Sequence, residues 1–216
     1  MITQLACHLL SLLSLTFLAT GSYFWMTDYL VDALLVSQVT SSLATVLVSF
    51  TAPMLAVIVS GALIESAGGY QSRQLLDLSL CLAIIGCLVA IVVPYVDSLW
   101  IFVACMWTVY FLAGILVACL TGIMIVSLPS QSRGTACTVG WYSVWLFGCL
   151  PAPAIYGWLN LVGPTERSRL GMKVLMSSSL VAVVCLSIAL CIIDSKIDKV
   201  IESGKMIELV GVEQMS

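Results

Sequence analysis

Apolar residues run along this chain in six long stretches, roughly 2–26, 38–64, 75–94, 99–128, 134–160 and 174–193, and the short segments between them hold most of the charges. A helix rises 1.5 Å per residue and a bilayer's hydrocarbon core is about 30 Å thick, so about 20 apolar residues reach across. The stretches are continuously apolar rather than alternating, which predicts helices and not the strands of a barrel. The expected fold class is all-α: a polytopic membrane protein whose six transmembrane helices form one domain over 1–194, followed by a tail at 195–216.

The spans differ in chemistry. Spans three (75–94) and six (174–193) carry Leu, Val, Ile, Ala, Ser and Cys between their flanking prolines and charges, a composition suited to facing lipid. Spans one, two, four and five hold nearly all the aromatic residues, prolines and hydroxyls. In span two, Gln38, Ser42, Thr45 and Ser49 recur at spacings of four, three and four, which places them on one helix face. Such a stripe predicts either the lining of a wet cavity or a seam of interhelical hydrogen bonds. Span four offers Gly114, Ala118 and Gly122, a ladder of small residues that lets a neighbour approach closely, with Trp107 and Phe111 extending that face and Tyr110 and Thr121 beside it. Span five sets Trp141, Trp145 and Gly148 on one face next to Tyr142, then reaches Pro151-Ala152-Pro153, and two prolines inside a helix predict a bend.

Composition narrows the function classes. With 61% hydrophobic and 9% charged residues and a net charge of −3, neither nucleic acid nor a polybasic lipid-binding surface is expected. All nine cysteines fall inside the spans without metal-ligand spacing, so they are expected to be small apolar packers, and neither metal nor cofactor is expected. An even number of spans puts both ends on one side. Arg73, Arg133, Lys196, Lys199 and Lys205 share that side, which is therefore read as cytoplasmic, whereas Arg167, Arg169 and Lys173 oppose the rule. Residues 9–19 with Ala19-Thr20-Gly21 mimic a signal peptide, but no basic residue precedes them and the apolar run continues to Trp25. No sorting signal names a particular membrane. The sole imidazole, His8, near the start of span one, is expected at the interface rather than in a proton relay.

Three blocks carry a resemblance. Gly61-Ala-Leu-Ile-Glu65-Ser-Ala-Gly68-Gly69-Tyr-Gln-Ser-Arg73 follows span two, and Ile125-Val126-Ser127-Leu128-Pro129-Ser-Gln-Ser-Arg133-Gly-Thr-Ala136 joins spans four and five. Gly148-Cys-Leu-Pro151-Ala-Pro153-Ala-Ile-Tyr156-Gly157 lies late in span five, and Trp25-x-x-Asp28-Tyr29 closes span one. Together with two bland and four rich spans, these resemble the C-terminal half of a major facilitator superfamily transporter of the Spinster type, with the organic anion transporters as second choice. The resemblance implies that the first, second, fourth and fifth helices line a path, that the loop of Gly61, Glu65, Gly68 and Arg73 latches one half against the other, and that lysolipid or sphingoid cargo is carried. Glu65 replaces the usual aspartate of that loop, and a single Arg73 replaces its basic pair.

The residues themselves allow two main readings. In the first, the chain is a transporter, or half of one, that moves a small amphipathic or organic solute by alternating access. Its partners would be the bilayer, the solute and a second six-helix half or a second copy of itself. Path candidates are Gln38, Ser42, Thr45, Ser49, Tyr110, Thr121, Trp141, Tyr142 and Trp145. In the second, it is a truncated or non-transporting protein that keeps the fold as a partner or assembly subunit, and Met1 directly before span one is what truncation would leave. Catalysis is not expected, because the HExxH, Gly-x-Ser-x-Gly and paired intramembrane aspartate patterns are missing from the sequence. No charged residue sits near a span midpoint, so any coupling group is expected elsewhere.

Overall fold

A computed structural model describes residues 2–128, 130–131, 133–162 and 167–195. Met1, Pro129 and the tail beyond Ser195, all invoked above, lie outside the described residues. The described chain is helical without strands. It comprises α1 (Ile2–Asp32), α2 (Gln38–Ser66), α3 (Arg73–Val92) with a 3-10 turn at Val93–Tyr95, α4 (Leu99–Val126), α5 (Arg133–Ser143), a π-helical turn at Val144–Cys149, α6 (Pro151–Val162), α7 (Arg167–Ser177) and α8 (179–195). Among the described residues five helices are long and apolar enough to cross a membrane: Thr3–Asp32, Gln38–Ser66, Arg73–Tyr95, Leu99–Val126 and Arg169–Ser195, the last comprising most of α7 and all of α8.

The remaining apolar stretch is the expected fifth span, in pieces. Pro151 lacks an N–H and its ring crowds the carbonyl four residues back, so the α ladder cannot run through. The chain widens instead: Leu150 N donates to Trp145 O at 3.1 Å, an i to i−5 bond. Ser143 (φ −63°, ψ −41°) and Leu150 (φ −68°, ψ −43°) keep helical dihedrals, so the path continues across both junctions. Its neighbours along α1 give its reach. Leu5 and Leu9 line a recess together with Thr135, Ala136 and Gly140, Gly148 faces Leu13 and Thr16, and Trp25 Nε1 donates to Pro153 O at 3.0 Å. The fifth stretch therefore runs parallel to α1 from Leu5 to Trp25, about 30 Å at the helical rise.

A milder interruption separates α7 from α8. Ser177, Ser178 and Ser179 each turn a hydroxyl onto the carbonyl three residues back, at 2.9, 2.7 and 2.6 Å. The Ser178 carbonyl accepts from Ser14 Oγ at 2.7 Å, which pins the break to α1.

In the packing, α1 and α4 are central. α1 touches α2, α4, the interrupted fifth helix and α7; α4 touches α2, α3 and α1; α3 reaches α7. Close approach between α2 and α4 depends on Gly114, where an added Cβ would lie 2.7 Å from Ala56 Cβ. That is the packing expected of the ladder. Cys7 clusters with Cys185 and Ala189, so the start of α1 and the end of α8 lie at one end of the bundle.

Candidate functional site

The loop after α2 is held as its glycines require. Gly68 and Gly69 adopt φ 83° and 88°, backbone that favours residues without a Cβ. The Gly69 amide donates to Ile64 O at 2.9 Å and Gly68 to Glu65 O at 3.1 Å, closing the α2 terminus. Ser72 then caps α3 by accepting from Gln74 N at 3.1 Å. Arg73 Nη2 lies 2.9 Å from Asp194 Oδ1 and Arg73 Nε lies 3.7 Å from Asp77, tying the α3 start to the α8 end. Gly61 and Glu65 are exposed, and among the described residues Glu65 makes no ion pair.

The nine path candidates separate into three groups. Tyr142 and Trp145 are exposed at 72% and 64% and share a recess of about 510 Å³ with Thr20, Leu146, Cys149 and Leu150. Its walls come from α1, α5 and the π turn. In a second group the hydroxyls are turned inward. Thr45 Oγ1 donates to Ser41 O at 3.0 Å and lies 3.2 Å from Thr27 Oγ1, while Tyr110 is buried with its hydroxyl 3.0 Å from Ser22 Oγ. Ser49 and Thr121 hide hydroxyls that have no hydrogen-bond partner among the described residues, and Trp141 packs half-buried against the core. Gln38 and Ser42 form the third group, exposed at the start of α2. Of the nine, Tyr142 and Trp145 share this recess.

Sequence spacing missed several partners. Ser41, adjacent to Ser42, is the fully buried hydroxyl of α2 and donates to Thr27 O at 2.8 Å. Trp107 Nε1 donates to Thr51 Oγ1 at 2.9 Å, a second α2–α4 tie, while Trp107 stacks on Phe111 with centroids 5.1 Å apart. Trp25 stacks on Tyr156 at 5.1 Å beside Pro153. His8, expected at the interface, is instead fully buried, and neither ring nitrogen has a partner among the described residues. The heptad-like positions of Leu12 and Leu15 on the same helix were the available signal, since they place residue 8 on the core face.

The described residues hold no cluster of three or more His, Cys, Asp or Glu placed to bind a metal. No protein-family model, curated protein or solved structure matches the chain.

Proposed function

We propose that this chain is a transmembrane transporter, or one six-helix half of one, that moves a small amphipathic or organic solute by alternating access, and that it resembles the Spinster-type transporters of the major facilitator superfamily. One observation carries the reading. α2 and the interrupted fifth helix leave outward faces rich in apolar and aromatic side chains on either side of the packed α1 and α4. In α2 only 22% of the most apolar window is buried within the bundle, against 56% in α4. Lipid alone would cover those faces, but Gln38 and Ser42 on α2 and Tyr142 on α5 add polar atoms that a protein or solute partner would satisfy better. A second six-helix half, or a second copy of this chain, would enclose the recess at Trp145. Glu65, exposed and without an ion pair among the described residues, is the group available to latch the two together.

A second reading has its own support. The hydroxyls of Thr45 and Tyr110 are engaged in bonds between helices, as in a bundle that only packs. This favours a non-transporting partner or assembly subunit that retains the fold.

The oligomeric state in mild detergent, by light scattering corrected for bound detergent, comes first. Reconstituted uptake of a fluorescent lysolipid and of an anionic dye then follows. A dimer whose uptake falls on Trp145→Ala or Thr45→Val supports transport. A monomer inactive alone and inactive with every co-expressed six-helix half sinks it and leaves the subunit reading.

A further inference from the structure

At the end of the bundle opposite Arg73 and Asp194, the chain carries three basic residues that the charge rule for loops does not expect. Two of them have structural partners. Arg169 pairs through Nη2 with Asp97 Oδ1. Lys173 Nζ sits 4.9 Å from the centroid of the Tyr95 ring, over its face. Among the described residues Lys173 makes no ion pair, so its charge is not neutralised by a carboxylate.

Lys173 also lines a pocket of about 240 Å³ with Ile91, Pro94, Tyr95, Met176 and Ser177. The depth of this pocket can be read along the chain. α3 loses its apolar character at Pro94-Tyr95, with Asp97 beyond, and α7 becomes apolar from Val174 onward. The pocket thus spans the boundary, its charged group on the water side and its aliphatic wall on the lipid side. Exposed Tyr95 and Trp100 mark the same level, as aromatic residues do at a membrane interface.

We propose that this pocket holds the phosphate of an anionic glycerophospholipid, with Lys173 as its cation, the Ser177 hydroxyl as a second donor and an acyl chain along Ile91 and Val174, which also line it. Charge complementarity selects the class. A phosphate needs a cation that is not already paired with an acid, and Lys173 is one. A zwitterionic lipid would need a further site for its quaternary ammonium. The Asp97 carboxylate is already held by Arg169, and the Tyr95 face is covered by Lys173. Ser177 now donates to the Val174 carbonyl at 2.9 Å, a local bond that can be exchanged for a phosphate oxygen by one rotation. The assignment holds whether or not the chain transports a solute, and it gives Lys173 a role other than orientation.

Native mass spectrometry of the purified chain tests it, with phosphatidylglycerol, phosphatidylcholine or soluble glycerol phosphate added to the micelles. Wild type is expected to retain phosphatidylglycerol and to unfold at a higher temperature with it than with phosphatidylcholine. Lys173→Gln is expected to lower that retention about fivefold, the factor one lysine contributes near an anionic surface, and Lys173→Arg to keep it. Ser177→Asp, at an exposed position where folding is not at risk, is expected to abolish retention by setting a carboxylate beside Lys173. Equal retention of both lipids, retention that survives Ser177→Asp, or stabilisation by glycerol phosphate as large as by the lipid would each overturn the proposal.

Discussion

The hydroxyl pair between α1 and α4 has a direction. Ser22 Oγ lies 2.6 Å from Leu18 O, to which it must donate, so at 3.0 Å from Tyr110 it can only accept. Tyr110 is therefore the donor across the seam, and both residues are buried. The asymmetry sets two unequal costs. Tyr110→Phe removes the interhelical bond but leaves Ser22 satisfied by its own helix, and is expected to cost about 0.6 kcal/mol. Ser22→Ala strands a buried phenol hydroxyl and is expected to cost about 1–3 kcal/mol. Reversible unfolding of both variants in the same micelles checks the order, and a larger loss for Tyr110→Phe would show that the proton points the other way.

Among the elements, hydropathy found the stretches because burial in lipid is a property of composition, and it placed most helix ends within two residues, but α1 runs on to Asp32 rather than 26 and the last membrane-length helix begins at Arg169 rather than 174. The hydrogen-bond register inside a stretch was not legible. Pro151 and Pro153 announced an interruption, yet nothing in residue type distinguishes a kink from the π turn that the Leu150–Trp145 bond makes. Ser177–Ser179 count as mildly polar residues in an apolar run, and their bonds to carbonyls, which separate α7 from α8, are invisible to a hydropathy sum. The same limit applies to the candidate site. Spacing put Gln38, Ser42, Thr45 and Ser49 on one face, but a neighbouring helix chooses which edge of that face is covered, and α1 covers Ser41 and Thr45. The π turn has two competing causes, the prolines and the close seat of Gly148 against Thr16 and Leu13. If the prolines set it, Pro151→Ala with Pro153→Ala lets an α ladder run through and raises stability by about 1 kcal/mol, a fraction of the cost of an interior proline. Trp145 would then turn out of its recess and uptake would fall. An unchanged unfolding midpoint would assign the turn to Gly148.

For the whole molecule, the course of the interrupted fifth stretch bears on how many times the chain crosses a membrane. Among the described residues five helices are individually long and apolar enough to cross, and the interrupted fifth stretch keeps pace with α1 from the level of Leu5 to Trp25. Arg73 and Asp194 form an ion pair at one end of the bundle, and Asp97 and Arg169 form a second at the other. Each pair is largely exposed and adds little stability, yet each joins segments about 70 or more residues apart at the level where apolar sequence ends. The arrangement therefore has a sharp consequence for accessibility. In a cysteine-free background and sealed vesicles, single cysteines at Ser130 and Ser195 are expected to react with an impermeant maleimide from the same side, and one at Ser98 from the opposite side. Ser130 and Ser195 bracket the fifth and sixth stretches, and the sixth is a helix long and apolar enough to cross, so they share a side only if the fifth crosses too. Labelling of Ser130 and Ser195 from opposite faces would mean that the π-interrupted stretch lies in the membrane without traversing it, and the parallel course along α1 would have to be abandoned.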